Sequence, residues 1–227
     1  MSAKSRSKSG RDKRPPESSP ITDLSAAETS ELFEDLNYVS LAELRELCRT
    51  YEIPYRIRIK LPDGSVRTTA ANDRKGVVLA RLRRFLETGE RLAATVLSAS
   101  VAGPATLSRC LAAADRIHFR WYERTNAPVF DLLRTLTDGR FRDGARARTL
   151  LMAHWSAGRA PTFSEFAAEW LSAEQGGESM VSPEYAYLTD LQAGRADPDW
   201  KALRRQRARR ALSRLNPPHR NEETSRG

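Results

Sequence analysis

Apolar residues recur along much of this chain at intervals of three and four, the spacing that gathers them on one side of an α-helix. Leu32, Phe33 and Leu36 follow Ser25-x-x-Glu28, and Leu41, Leu44, Leu47 and Cys48 follow Ser40-x-x-Glu43. Each Ser-x-x-Glu is a capping box, in which the serine hydroxyl and the glutamate carboxylate accept from each other's backbone N–H groups. Val39 and Leu44 flank the second box at the hydrophobic-staple positions. Val78, Leu79, Leu82, Phe85 and Leu86 make a further stripe that stops at Gly89. Thr162-x-x-Glu165 opens another, carrying Phe163, Phe166, Ala167, Trp170 and Leu171. Ser182-Pro183 and Asp197-Pro198 each place a cap residue before proline, a helix start, and Gly194 reads as a stop.

One segment breaks the helical period. Arg56-Ile57-Arg58-Ile59-Lys60-Leu61 alternates strictly, Pro62-Asp63-Gly64 turns, and Ser65 to Thr69 can return, which predicts a β-hairpin. An isolated hairpin is marginal in water, so it is expected to fold as a lid over the two neighbouring helices. Ile57, Ile59 and Leu61 would face the helix pair, and Arg56, Arg58 and Lys60 would face solvent.

Further along, Phe119, Trp121, Tyr122, Phe130, Leu132, Leu133, Leu136, Phe141, Leu150, Leu151, Met152 and Trp155 form a second apolar cluster, read as core. The fold expected is mainly α. A basic tail at 1–20, expected disordered, precedes a helix–hairpin–helix module at 21–91. A linker at 92–103 leads to a helical accessory domain at 104–215, and 216–227 forms a second disordered tail.

Charge changes this picture. The 227 residues carry 38 Lys and Arg against 29 Asp and Glu, a net +9, which suits a polyanionic partner. The charge comes in blocks: −6 over 21–54, +6 over 55–91, zero over 119–179 and +4 over 180–227. The last helix, from Asp197 to Leu215, holds Lys201, Arg204, Arg205, Arg207, Arg209, Arg210 and Arg214. Arg204, Arg207 and Arg214 intrude on the side of Trp200, Leu203, Ala211 and Leu215. That helix reads as a solvated basic face, a phosphate-tracking helix, or a segment docked on an anionic membrane or partner groove.

Arg74, Lys75 and Gly76 lie at the start of the helix that follows the hairpin, where unpaired N–H groups and the helix dipole favour an anion. Arg81 and Arg84 lie further along it. LAELRELCRTYEIP followed by DRKGVVLARLRRFL resembles the SAP motif, a helix–extended loop–helix DNA-binding module, in an enlarged-loop bacterial form. Glu52 stands where that family usually has glycine. The resemblance implies contact with duplex phosphates through the start of the second helix, here Arg74 and Lys75, with weak sequence preference.

The expected DNA-binding set is therefore Arg56, Arg58, Lys60, Arg74, Lys75, Gly76, Arg81 and Arg84. Duplex DNA is the expected partner, RNA a variant of it, and a protein partner could dock on 104–215. The contrasting reading is a protein–protein adaptor whose basic surface is incidental. Walker, dinucleotide-binding and GxSxG motifs are absent, so no enzyme and no cofactor is expected. His118, His154 and His219 are too scattered for a metal site, and Cys48 and Cys110 read as buried hydrophobes of a reducing compartment. The charged opening lacks the apolar core of a secretory signal, and Leu92–Ser108 is a poor membrane span. A cytoplasmic, nucleoid-associated location is the corresponding expectation.

Overall fold

The computed structural model describes residues 21–104, 106, 107, 110–123, 125–175 and 200–215. Both expected disordered tails, and the helix signals at Ser182, Gly194 and Asp197, lie outside the described residues. What is described is mainly α. Eight helices run in order as α1 (Ala26–Leu36), α2 (Leu41–Thr50), α3 (Lys75–Thr88), α4 (Ala99–Ala102), α5 (Ala127–Leu136), α6 (Ala145–Ser156), α7 (Phe163–Gln175) and α8 (Trp200–Leu215). Strands β1 (Arg56–Lys60), β2 (Val66–Asn72) and β3 (Val96–Ser98) form one sheet in the order β2-β1-β3. Among the described residues, no helix is long and apolar enough to cross a membrane.

The chain divides into two compact units, neither of them continuous in sequence. Of the described residues, the first comprises 21–54, 75–92 and 200–215, and the second comprises 55–74 and those from 93 to 175. This differs from the division expected at 91 and 104. The hairpin falls in a different unit from the helices that flank it in sequence, and the last helix joins the first unit.

In the first unit, both capping boxes form as the spacing predicts: Ser25 with Glu28, and Ser40 with Glu43. Leu44, Leu47 and Cys48 of α2 and Val78, Leu79, Leu82, Phe85 and Leu86 of α3 are buried where the two helices meet. Val39 is buried with Leu44, as the staple requires. Helix α2 ends in a Schellman turn. The Ile53 N–H donates to the Cys48 carbonyl at 2.8 Å, and Glu52 takes the left-handed position at φ 56°. Helix α8 packs on α1 through Ala208, Ala211 and Leu215, and the Tyr51 hydroxyl donates to the Leu215 carbonyl at 2.5 Å.

In the second unit, the hairpin is antiparallel, and β3 adds to β1 in parallel, with Ile59 opposite Leu97. Residues 92–103, expected as a linker, thus supply a strand and a short helix. Ile57 packs within its own unit. It belongs to a core with Leu97, Val101, Ile117 and Trp121, joined by Leu133 of α5, Leu151 and Trp155 of α6, and Phe163, Phe166 and Trp170 of α7. The hairpin needs an apolar layer on one face, and this aromatic-rich core supplies it. The expectation that the aromatics are core is met: the Trp155 indole N–H donates to the Ile117 carbonyl at 2.9 Å. Cys48 is buried as expected, but Cys110 is exposed.

Candidate nucleic-acid interface

Alternation along β1 puts its side chains on opposite faces of the sheet. Ile57 and Ile59 are buried on one face, while Arg56, Arg58 and Lys60 are exposed on the other. Register completes that outer face. Thr68 and Val66 of β2 stand opposite Arg58 and Lys60, and Val96 and Ser98 of β3 flank the same two cations on the other side. None of the three strands contains an acidic residue. The Arg56 guanidinium lies 5.8 Å from the Tyr55 ring centroid, and neither Arg58 nor Lys60 has a carboxylate partner among the described residues. Three cations therefore stand in a row on the sheet, with small hydroxyl and valine side chains around them.

The hairpin tip carries the nearest acid in sequence, Asp63. Its carboxylate accepts from the Ser65 hydroxyl at 2.6 Å and from the Ser65 N–H at 2.9 Å. These bonds hold its pKa below the ordinary carboxylate range. The acid closes the turn, as Asp at this position commonly does.

The helical half of the expected site is different. The Lys75 side chain is only 5% exposed, and its ammonium donates to the Asn37 carbonyl at 2.5 Å. Arg81 is 6% exposed and donates to the Pro54 carbonyl at 3.0 Å. Both long side chains turn back onto the first unit, where the carbonyl at the end of α1 and that of Pro54, just past α2, accept them. Arg84 is exposed but pairs with Glu90 at 2.8 Å. Arg74 is half-buried, and Gly76 is half-buried in the first turn of α3. The compact anion site expected at the start of α3 thus lacks its lysine, which serves as a tie between α3 and the end of α1.

Helix α8 reveals what the sequence reading left open. Arg204, Arg207, Arg210 and Arg214 point toward acidic residues of α1 and α2. Arg210 binds both Asp35 oxygens and reaches Glu31 at 2.5 Å; Arg214 reaches Glu31 at 2.7 Å; Arg204 lies 3.6 Å from Glu43. The hydrogen bonds to Asp35, followed by the charges of Asp35, Glu31 and Glu34, raise the Arg210 pKa further. Arg207 lies 4.7 Å above the Tyr38 ring, a cation–π contact. Sequence reasoning missed this clasp. Its signal was the −6 block at 21–54 set against the run 200–215, which holds seven cations and no acid.

Two further polar groups belong to the second unit. His154 Nε2 lies 2.5 Å from Glu169 Oε2, and Arg159 donates to its Nδ1 at 2.6 Å. Both ring nitrogens are therefore occupied by side chains. Among the described residues, no three His, Cys, Asp or Glu converge as a metal-ligand set.

Compared with known proteins, the chain matches no protein-family model, no curated protein and no solved structure.

Proposed function

We propose that this chain is a non-enzymatic DNA-binding protein that contacts duplex phosphates with weak sequence preference, acting in the cytoplasm on nucleoid DNA. The observation that carries this reading is the row of Arg56, Arg58 and Lys60 on a sheet face whose strands hold no carboxylate. Exposed like charges held in a row without counter-charges repel one another, and a polyanion relieves that repulsion. The resemblance of α2 and α3 to the SAP pattern supports the same class of partner, with the contact moved from the start of α3 to the hairpin. Lys75 and Arg81 hold the first unit together in this reading, and RNA is the competing polyanion.

The test is fluorescence anisotropy of a labelled 20-base-pair duplex with the full chain at several salt concentrations. Converting Arg56, Arg58 and Lys60 to Gln together should weaken binding and flatten the slope of log affinity against log salt by about 2.7, at about 0.9 per phosphate contact. An unchanged slope rejects the sheet face. The adaptor reading has one observation of its own: Val66 and Val96, 51% and 48% exposed, border the cations. A stable complex with an acidic protein, with no duplex binding at any salt, would favour it.

A further inference from the structure

The seven cations of α8 are sorted by the helix into two sets. Arg204, Arg207, Arg210 and Arg214 face the acidic residues of α1 and α2. Lys201, Arg205 and Arg209 are exposed, and they recur every fourth residue. At 1.5 Å rise per residue, that spacing sets them about 6 Å apart along the axis, over a total of about 12 Å. None of the three has an acidic partner among the described residues. The side chain of Lys201 lies 5.9 Å from the Trp200 ring centroid, and the Arg205 guanidinium donates to the Lys201 carbonyl at 3.2 Å.

We infer that Lys201, Arg205 and Arg209 form a second phosphate-binding surface, one that lies along a strand of duplex DNA. The inference rests on the DNA-binding reading above but uses a different element in the other compact unit. About 12 Å of duplex presents three to four phosphates on one strand, at about 3.4 Å of axis per strand phosphate, so three side chains of this length can each reach one. The helix contains no acid to oppose the contact. The inward arginines act as positioning residues. By neutralising Glu31, Asp35 and Glu43, they fix which side of α8 faces outward and remove the nearest anionic charges that would repel a phosphate strand. A long cationic helix with nothing to hold it would present its charges on every side; here the clasp leaves one row.

The experiment uses the full chain already carrying Arg56→Gln, Arg58→Gln and Lys60→Gln, so that the sheet face no longer contributes. With the labelled duplex, this variant should keep salt-dependent binding, with a slope of about −2.7 or steeper. Adding Lys201→Gln, Arg205→Gln and Arg209→Gln should flatten that slope by about 2.7. A matched control removes the same charge from arginines already paired to carboxylates: Arg134→Gln, Arg140→Gln and Arg148→Gln. The control should leave the slope in place. Far-UV circular dichroism and thermal melts of each variant establish that α8 stays docked, because the outward cations touch none of the clasp.

Residual binding that the α8 changes do not move overturns the inference, and so does an equal loss in the control, which would show bulk charge at work. Vesicles of phosphatidylserine in phosphatidylcholine serve as counter-probe. Retention on vesicles that depends on the α8 row, with duplex binding unaffected by it, assigns the row to a lipid surface and overturns the inference. If the chain with its native residues fails to bind duplex at low salt, the DNA-binding reading itself falls. If it binds and the sheet variant abolishes all binding, that reading stands and only the α8 surface is lost.

Discussion

Arg210 of α8 grips Asp35 of α1 with two nitrogens, across 175 residues of sequence, and the Asp35 side chain is completely buried. Arg207 lies further off, at 3.8 Å, so the buried carboxylate depends chiefly on Arg210. Arg210→Leu should therefore lower the melting temperature more than the paired change Asp35→Leu with Arg210→Leu, which removes both charges. Thermal melts followed at 222 nm decide it. A double variant as unstable as the single, or more so, would show that the pair contributes more than relief of a buried charge.

Glu52 carries the left-handed conformation that closes α2, at φ 56°. A non-glycine residue there costs about 1–2 kcal/mol, part of which glycine returns through the greater entropy of its unfolded chain. Glu52→Gly should accordingly stabilise the protein by about 0.5–1 kcal/mol. Urea denaturation measures it, and a midpoint at or below that of the native chain would contradict the strain argument.

The local signals were legible because each acts within a few residues. Ser25 with Glu28, Ser40 with Glu43 and Thr162 with Glu165 open their helices as the spacing indicates, and the alternation that begins at Arg56 forms strand β1. What the sequence did not disclose was which surface each element would meet. Ile57 is as apolar to one helix pair as to another, so periodicity could not say that it packs with Leu97 and Ile117. Lys75 and Arg81 read as solvent-facing cations, and only the fold shows the carbonyls of Asn37 and Pro54 awaiting them. Strand β3, three residues long, is too short for alternation to register. The two faces of α8 were hidden because its arginines are chemically alike and are distinguished only by the acids of α1 and α2.

The two thiols should differ in reactivity. Burial pushes the Cys48 thiol up to about 12, with nearby Arg81 opposing only in part, whereas Cys110 is exposed. The thiolate is the reactive form, so an aromatic disulfide reagent at pH 8 should titrate one thiol quickly in the native protein and two after denaturation. Two fast thiols in the native state would contradict the packing around Cys48.

Acid should weaken the helix starts. Hydrogen bonds from Ser25 lower the pKa of Glu28, aided by Arg214, and those from Thr162 lower that of Glu165, aided by Arg159 and Arg116. A carboxylate with its folded value depressed contributes stability above its unfolded pKa, near 4.5, and loses that contribution as pH falls through the lower folded value. Glutamine keeps an acceptor at the capping position but does not titrate. Glu28→Gln with Glu165→Gln should therefore melt lower than the native chain at pH 6 and narrow that gap as pH drops toward 3. A gap that stays constant or widens would exclude the ionised boxes as its source.

Gly103 ends α4 at φ 71° and ψ 176°, a backbone region that only glycine occupies without strain, and a Cβ there would fall 2.3 Å from His118 Cγ. The imidazole is held edge-on against Trp121, with ring centroids 4.7 Å apart, so it cannot swing aside without losing that contact. Gly103→Ala thus faces two separate penalties, about 1–3 kcal/mol for the backbone and about 1–3 kcal/mol for overpacking. Adding His118→Ala should return the steric part alone. The double variant is then expected between Gly103→Ala and the native chain, less the packing that His118 itself supplies, as measured by urea denaturation with tryptophan fluorescence. A Gly103→Ala chain within about 0.5 kcal/mol of native, the range of an ordinary surface change, would show that neither the conformation nor the close approach is required.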